Sequence, residues 1–213
     1  MSENFIITIG RQHGCGGRLV GKELSKRLGI AYYDKEIVRG MIAEDCGISV
    51  EAVSELMDKR TSSLLYEMAT YGIDRSPLEE QIFISETRIV KELADKSPCI
   101  IVGICADYIL RDRKNILKVF LYGDMSDRIN RIVNYYKDVP EMTEQELKII
   151  DRKRANYYHF FTTLKWGERK NYDMLINTGI GVENVTDMLS AIKGISLEKE
   201  IRQDMGDKQF INY

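Results

Sequence analysis

The stretch ITIGRQHGCGGRLVGKEL, residues 7–24, runs from a β-branched segment through Gly10, Gly14, Gly16 and Gly17 into a helix-like pattern. Strand, glycine turn and helix in that order aim backbone N–H groups and a helix start at an anion, which is how a phosphate-binding loop is built. The usual spelling, G-x-x-x-x-G-K-[ST], is not met. With Gly16 at the second glycine, Arg11 falls on the first glycine, Gly17 on the lysine and Arg18 on the hydroxyl. The physical parts survive the changed spelling. The glycines permit close backbone approach, and Arg11 and Arg18 supply cations. Taken alone, the segment reads equally well as a glycine turn ahead of a helix.

Other charged residues are spaced for a shared task. Arg128 and Arg131 lie three apart, as do Asp151 and Arg154, so on a helix each pair occupies one face. Such faces grip an anion or merely meet water; as a plain helix ion pair, Asp151–Arg154 would be worth only about 0.3 kcal/mol. Asp34 follows a short apolar run, where it can cap the next helix, and Asp107 reads as a second cap. His13, in the loop, is placed where it could touch phosphate, but it reads first as a loop residue in contact with water. Two histidines are too few for a metal centre. The four cysteines, Cys15, Cys46, Cys99 and Cys105, show no C-x-x-C spacing and read as reduced thiols.

These groups need a scaffold. A chain of 213 residues, 44% hydrophobic and 30% charged, is sized for one soluble globular domain. Its net charge of −2 offers no global basic field to nucleic acid or an anionic membrane. Any anion site must therefore be a local concentration of Arg and Lys. The start, MSENFIITIG, has neither a basic n-region nor an apolar run long enough for export or insertion, so a cytoplasmic protein is expected.

Short apolar runs predict strands at 5–9, 31–33, 99–103, 117–122 and 173–177, with amphipathic segments between them. That alternation predicts a parallel sheet covered by helices on both faces. Ser49 is placed to cap a helix in ISVEAVSELMDKR, and a second helix runs through LEEQIFISETRIVKELADK. Residues 61–77, without clear periodicity, read as a mobile loop. Thr143 and Glu146 form a capping box for the helix carrying Asp151 and Arg154, and DMSDRINRIVNYY reads as the helix before it.

The order of ITIGRQHGCGGRLVGKELSKRLGIAYYDKEIV, CIIVGICADYIL, VFLYGDMSDRINRI, DRKRANYYHFF and YDMLINTGIGVENV resembles the cytidylate kinase-like family of P-loop proteins, over nearly the whole chain. In that family the glycine loop is similar to GCGGR, so the missing lysine looks like a family trait. The resemblance implies a three-layer α/β P-loop NTPase fold with a five-stranded parallel sheet and a helical lid. It implies a single domain over 1–213, with a helical insert or acceptor region at 40–95 and the lid at 124–165. The implied reaction is transfer of the γ-phosphoryl group of ATP, with Mg²⁺ arriving on the donor, to a nucleoside monophosphate such as CMP or dCMP.

Carried across residue by residue, Gly14, Cys15, Gly16, Gly17 and Arg18 would form the phosphate loop, with Arg11 beside it. Arg18, Arg128 and Arg131 would neutralise the transferred group, and Asp34, Asp151 and Arg154 would bind the acceptor. No Mg²⁺ ligand is assigned, because the usual hydroxyl is replaced. One departure stands out: where cytidylate kinases carry an Arg–Asp pair after the third strand, this chain reads Gly103-Ile104-Cys105. Ile104 can bind neither phosphate nor a pyrimidine edge. A nucleotide-binding module without efficient turnover and a kinase of a non-nucleotide small molecule therefore stay open beside the first reading. The oligomeric state is not legible.

Overall fold

The computed structural model describes residues 4–59 and 77–192. In chain order the elements begin with β1 (Ile6–Arg11), α1 (Gly17–Leu28), β2 (Ala31–Tyr33), α2 (Lys35–Cys46) and α3 (Val50–Lys59). Next come α4 (Pro77–Lys96), β3 (Cys99–Val102), α5 (Ala106–Ile109) and β4 (Ile116–Tyr122). They end with α6 (Met125–Asn130), α7 (Glu144–Thr162), β5 (Met174–Asn177) and helical residues 182–192, here α8. The mobile loop expected over 61–77 lies, apart from Pro77, outside the described residues.

All five strands pair in parallel, in the order β2-β3-β1-β4-β5. The central strand must be buried on both faces, so its sequence reads as an unbroken apolar run rather than an alternation. Ile6, Ile7 and Ile9 are accordingly buried, and even Thr8 is enclosed. On one face Ile7 and Ile9 pack with Val20 and Leu24 of α1 and Val185 and Leu189 of α8. On the other, Ile6 and Ile101 meet Val90 and Ala94 of α4 and Tyr158 of α7. A third cluster joins α2, α3 and α4 through Val38, Ile42, Val53, Ile82 and Ile89. The expected α/β architecture, helices on both faces of a five-stranded parallel sheet, is the one observed.

Two boundaries differ from expectation, and both bear on the site. β1 runs on through Gly10 and Arg11, which pair with Phe120 and Leu121 of the longer β4. Arg11 is thus the last residue of the central strand. The helix expected through Tyr136 changes pitch after Asn130, and Arg131–Tyr136 is a π-helical turn. The wider turn re-aims side chains along that face, and such turns concentrate at functional sites. The caps behave as read. Ala52 N–H donates to Ser49 Oγ at 3.1 Å, and Thr143 and Glu146 close a complete capping box at the start of α7.

Candidate active site

The loop between β1 and α1 is shaped by positions that only glycine fits. Gly14 has φ +78°, and a Cβ on it would lie 2.7 Å from the backbone carbonyl oxygen of Arg128. At the start of α1, neither an acidic residue nor a side-chain cap occupies the first turn. Its leading N–H groups and the positive end of the helix dipole are left for an anion. Cys15 points the other way. Its thiol donates to the carbonyls of Gln12 (3.0 Å) and Leu121 (3.5 Å), and burial pushes its pKa up. It fastens the loop to β4 as a thiol, so its contribution toward a ligand is through the backbone.

Three arginines from the expected lid region hold this loop by its carbonyls. Arg128 Nε donates to His13 O at 2.8 Å, Arg131 Nη1 to Gly14 O at 2.7 Å, and Arg154 Nη1 to Arg11 O at 3.0 Å. Asp151 completes the set: Oδ1 accepts the His13 N–H at 2.8 Å, and Oδ2 pairs with the buried Arg128. His13 is a partly exposed loop residue, as expected, but its ring is also held from within. Its Nδ1 lies 3.1 Å from Arg154 Nη2, a group that can only donate, so Nδ1 accepts and the ring proton sits on Nε2. Burial, then the charge of Arg154, lowers its pKa to about 3, so the ring is neutral.

The cations around the loop are poorly compensated. The Arg11 guanidinium lies against Gly103, where a Cβ would be only 1.8 Å from Nη1. Among the described residues it has no hydrogen-bond or ion-pair partner, and burial pushes its pKa down. Burial and the neighbouring Arg11 also lower Arg154, to about 9. Arg18, 42% exposed, pairs with Asp138 at 3.4 Å and lies over the Tyr136 ring. Two neighbouring spaces open here. One lies over Gly14, Gly16 and Gly17, and the other extends from Arg11 past Ile104 and Lys153 to Trp166. Arg11, Lys35 and Arg154 line both. Crowded cations with shifted pKa values are relieved when an anion enters.

The structure thus gathers Arg11, Gly14, Gly16, Gly17, Arg18 and Arg154 on one cleft, with Arg128, Arg131 and Asp151 behind the loop. Asp34 lines neither space. Its carboxylate accepts the Ile37 N–H at 3.2 Å, capping α2, and the Tyr32 hydroxyl at 3.0 Å. Asp107 is not the cap of α5, a place held by Cys105; it is buried and accepts the Tyr158 hydroxyl at 2.7 Å. Sequence reasoning missed Lys35, Arg39 and Lys153 on the cleft wall. The first two are four apart on α2, a spacing that would have flagged them. Among the described residues no cluster of three or more His, Cys, Asp or Glu could hold a metal ion. No helix is long and apolar enough to cross a membrane.

The chain is similar to known proteins over most of its length. The cytidylate kinase of Methanobrevibacter smithii is 24% identical over 188 residues, covering 87% of this chain and 96% of that protein. A crystal structure of an uncharacterized protein from Eubacterium ventriosum superposes with a TM-score of 0.62 at 27% identity, covering 90% of this chain and 98% of the other. A gluconokinase from Sinorhizobium meliloti shares the fold with a TM-score of 0.55 at 13% identity, covering 97% and 99%. The family model described as the cytidylate kinase-like family matches residues 6–180, from β1 past β5 and across every part of the cleft, and the chain belongs to that family.

Proposed function

We propose that the protein transfers the γ-phosphoryl group of ATP to a small acceptor held in the cleft beside Arg11. The observation that carries this reading is the uncompensated Arg11 guanidinium, which lines both the space over the glycine loop and the space beyond it. A phosphoryl group passing between donor and acceptor would cross that boundary. An acceptor oxygen attacks the γ-phosphorus, the bond to the β-phosphate oxygen breaks, ADP departs, and the acceptor's proton is released to water. Such a reaction needs positioning and charge neutralisation more than covalent help. α1 amides and Arg18 would hold the donor phosphates, and Arg11 and Arg154 would face the transferred group. Arg18 stands where a hydroxyl ligand for Mg²⁺ would be, and the described residues offer no metal cluster. The loop does not fit a resident ion, and Mg²⁺ is expected with the ATP phosphates.

The family resemblance makes CMP or dCMP the first acceptors to assay. Ile104 supports a second reading, an acceptor without a base. The decisive experiment is a coupled ADP-release assay of the purified protein with ATP, Mg²⁺ and a panel of nucleoside monophosphates and small anionic alcohols. Turnover with one of them is expected. ATP binding without turnover on any acceptor would favour a nucleotide-binding module instead. The loop is tested separately by calorimetry on Gly16→Val, which adds a side chain at φ +89° with Val182 already 2.9 Å from a Cβ there. ATP affinity should be lost, and an unchanged affinity in the folded variant would remove the loop from the site.

A further inference from the structure

The part of the cleft that ends at Trp166 is chemically lopsided. Its described lining carries the cations Arg11, Lys35, Arg39, Lys153 and Arg154 and a single carboxylate, Asp107. The whole chain has a net charge of −2, so this excess is local. Asp107 offsets little of it, because its carboxyl is buried and already accepts the Tyr158 hydroxyl. The Tyr157 hydroxyl is likewise spent, donating to Glu86 at 2.6 Å. Lys153 and the Arg11 guanidinium have no hydrogen-bond or ion-pair partner among the described residues. Among the described residues no Asn, Gln, Ser or Thr side chain lines the space.

Among the described residues, donors are therefore abundant on this wall and free side-chain acceptors are nearly absent. A cytosine edge needs both kinds, since its amino group donates and must find an acceptor. Phosphate esters and carboxylates only accept, and they suit Arg and Lys directly. Ile104 adds an apolar side chain to the same lining. We infer that this cleft takes a compact, non-nucleotide acceptor bearing a phosphate ester or carboxylate, gripped by Arg11 and Lys153, with no subsite for a base. The inference rests on the phosphotransferase reading for its meaning, yet it is tested by binding alone.

Trp166 is the sole tryptophan of the chain and lines the space, so its fluorescence reports occupancy directly. The full chain is titrated with ribose 5-phosphate, glycerate, 3-phosphoglycerate, cytidine and CMP, each with and without a non-hydrolysable ATP analogue on the glycine loop. Ribose 5-phosphate tests the phosphate, glycerate the carboxylate and 3-phosphoglycerate both, while CMP adds a base to a ribose phosphate. Ribose 5-phosphate or 3-phosphoglycerate should bind at least as tightly as CMP, and cytidine should not bind. Lys153→Met should weaken the anion that binds best by about tenfold, the loss of roughly one charge-assisted contact, without changing affinity for the ATP analogue. CMP binding tenfold tighter than every base-free anion would overturn the inference and leave the phosphotransferase reading intact. Failure of all the anions to perturb Trp166 would overturn it too. Loss of ATP-analogue binding, with the anions still seen by Trp166, would instead count against the phosphotransferase.

Discussion

The work of a phosphate-loop lysine is proposed here for Arg18, with Arg11 as its competitor, and the environments of the two differ. Arg18 sits at the start of α1, where the dipole already favours an anion, and its partner Asp138 is a half-exposed carboxylate at 3.4 Å. An exposed pair of that kind is worth about 0–1 kcal/mol, so Arg18 can leave it for phosphate. A guanidinium offers two parallel donors to phosphate oxygens, a geometry an ammonium lacks. Arg18→Ala is expected to lower turnover by about 10³ with the melting temperature little changed, and Arg18→Lys to restore only part of it. Steady-state kinetics on the identified acceptor decide the matter. If Arg18→Ala turns over normally, the role passes to Arg11, which is already inside the cleft.

α7 ties these residues together, because one helix carries both Asp151 and Arg154 and both reach the loop. Asp151 has its two oxygens committed to His13 and Arg128, and the Arg128 side chain is only 3% exposed. Asp151→Asn would leave that guanidinium without its counter-charge, at a cost of about 3 kcal/mol for a mostly buried pair. Urea denaturation measures the loss. The acceptor role proposed for Asp151 requires more: acceptor KM should rise while ATP affinity holds. If both affinities fall together, the pair acts through the loop.

Most of this framework was legible in the chain. Apolar runs, the Thr143–Glu146 box and the Ser49 cap are local signals, and they marked β1 to β5, α3 and α7. That Lys153 joins Lys35 and Arg39 on one wall was not legible, because that wall forms only where α2 and α7 meet. The pitch change at Arg131 carried no readable mark. The contact of His13 with Arg154 was not legible either, because the two are 141 residues apart.

Burial of ionisable groups at the loop and between helices sets how the folded molecule responds to pH. Glu86 of α4 is fully buried, accepts the Tyr157 hydroxyl of α7 at 2.6 Å, and leaves its other oxygen without a hydrogen-bond partner among the described residues. Desolvation raises its pKa to about 8, well above the 4.5 of an ordinary glutamate. The folded state then holds a proton that the unfolded chain has lost, so this contribution to stability is full below pH 4.5 and is lost as pH rises toward 8. His13 acts in the opposite sense, with a folded pKa near 3 against 6.5, so stability falls as pH drops from 6.5 toward 3. Between 4.5 and 6.5 the two slopes oppose each other, and above 6.5 only Glu86 of the two contributes a slope. Its slope there is at most about 1.4 kcal/mol per pH unit. Glu86→Gln keeps the Tyr157 contact without the titration. It should match the native chain at pH 4.5 and exceed it in stability at pH 8, by a margin that grows steadily in between. Urea midpoints measured at half-unit pH steps would show this, and parallel curves for the two proteins above pH 6.5 would mean that Glu86 is ionised in the fold and that α4 and α7 are joined in some other way.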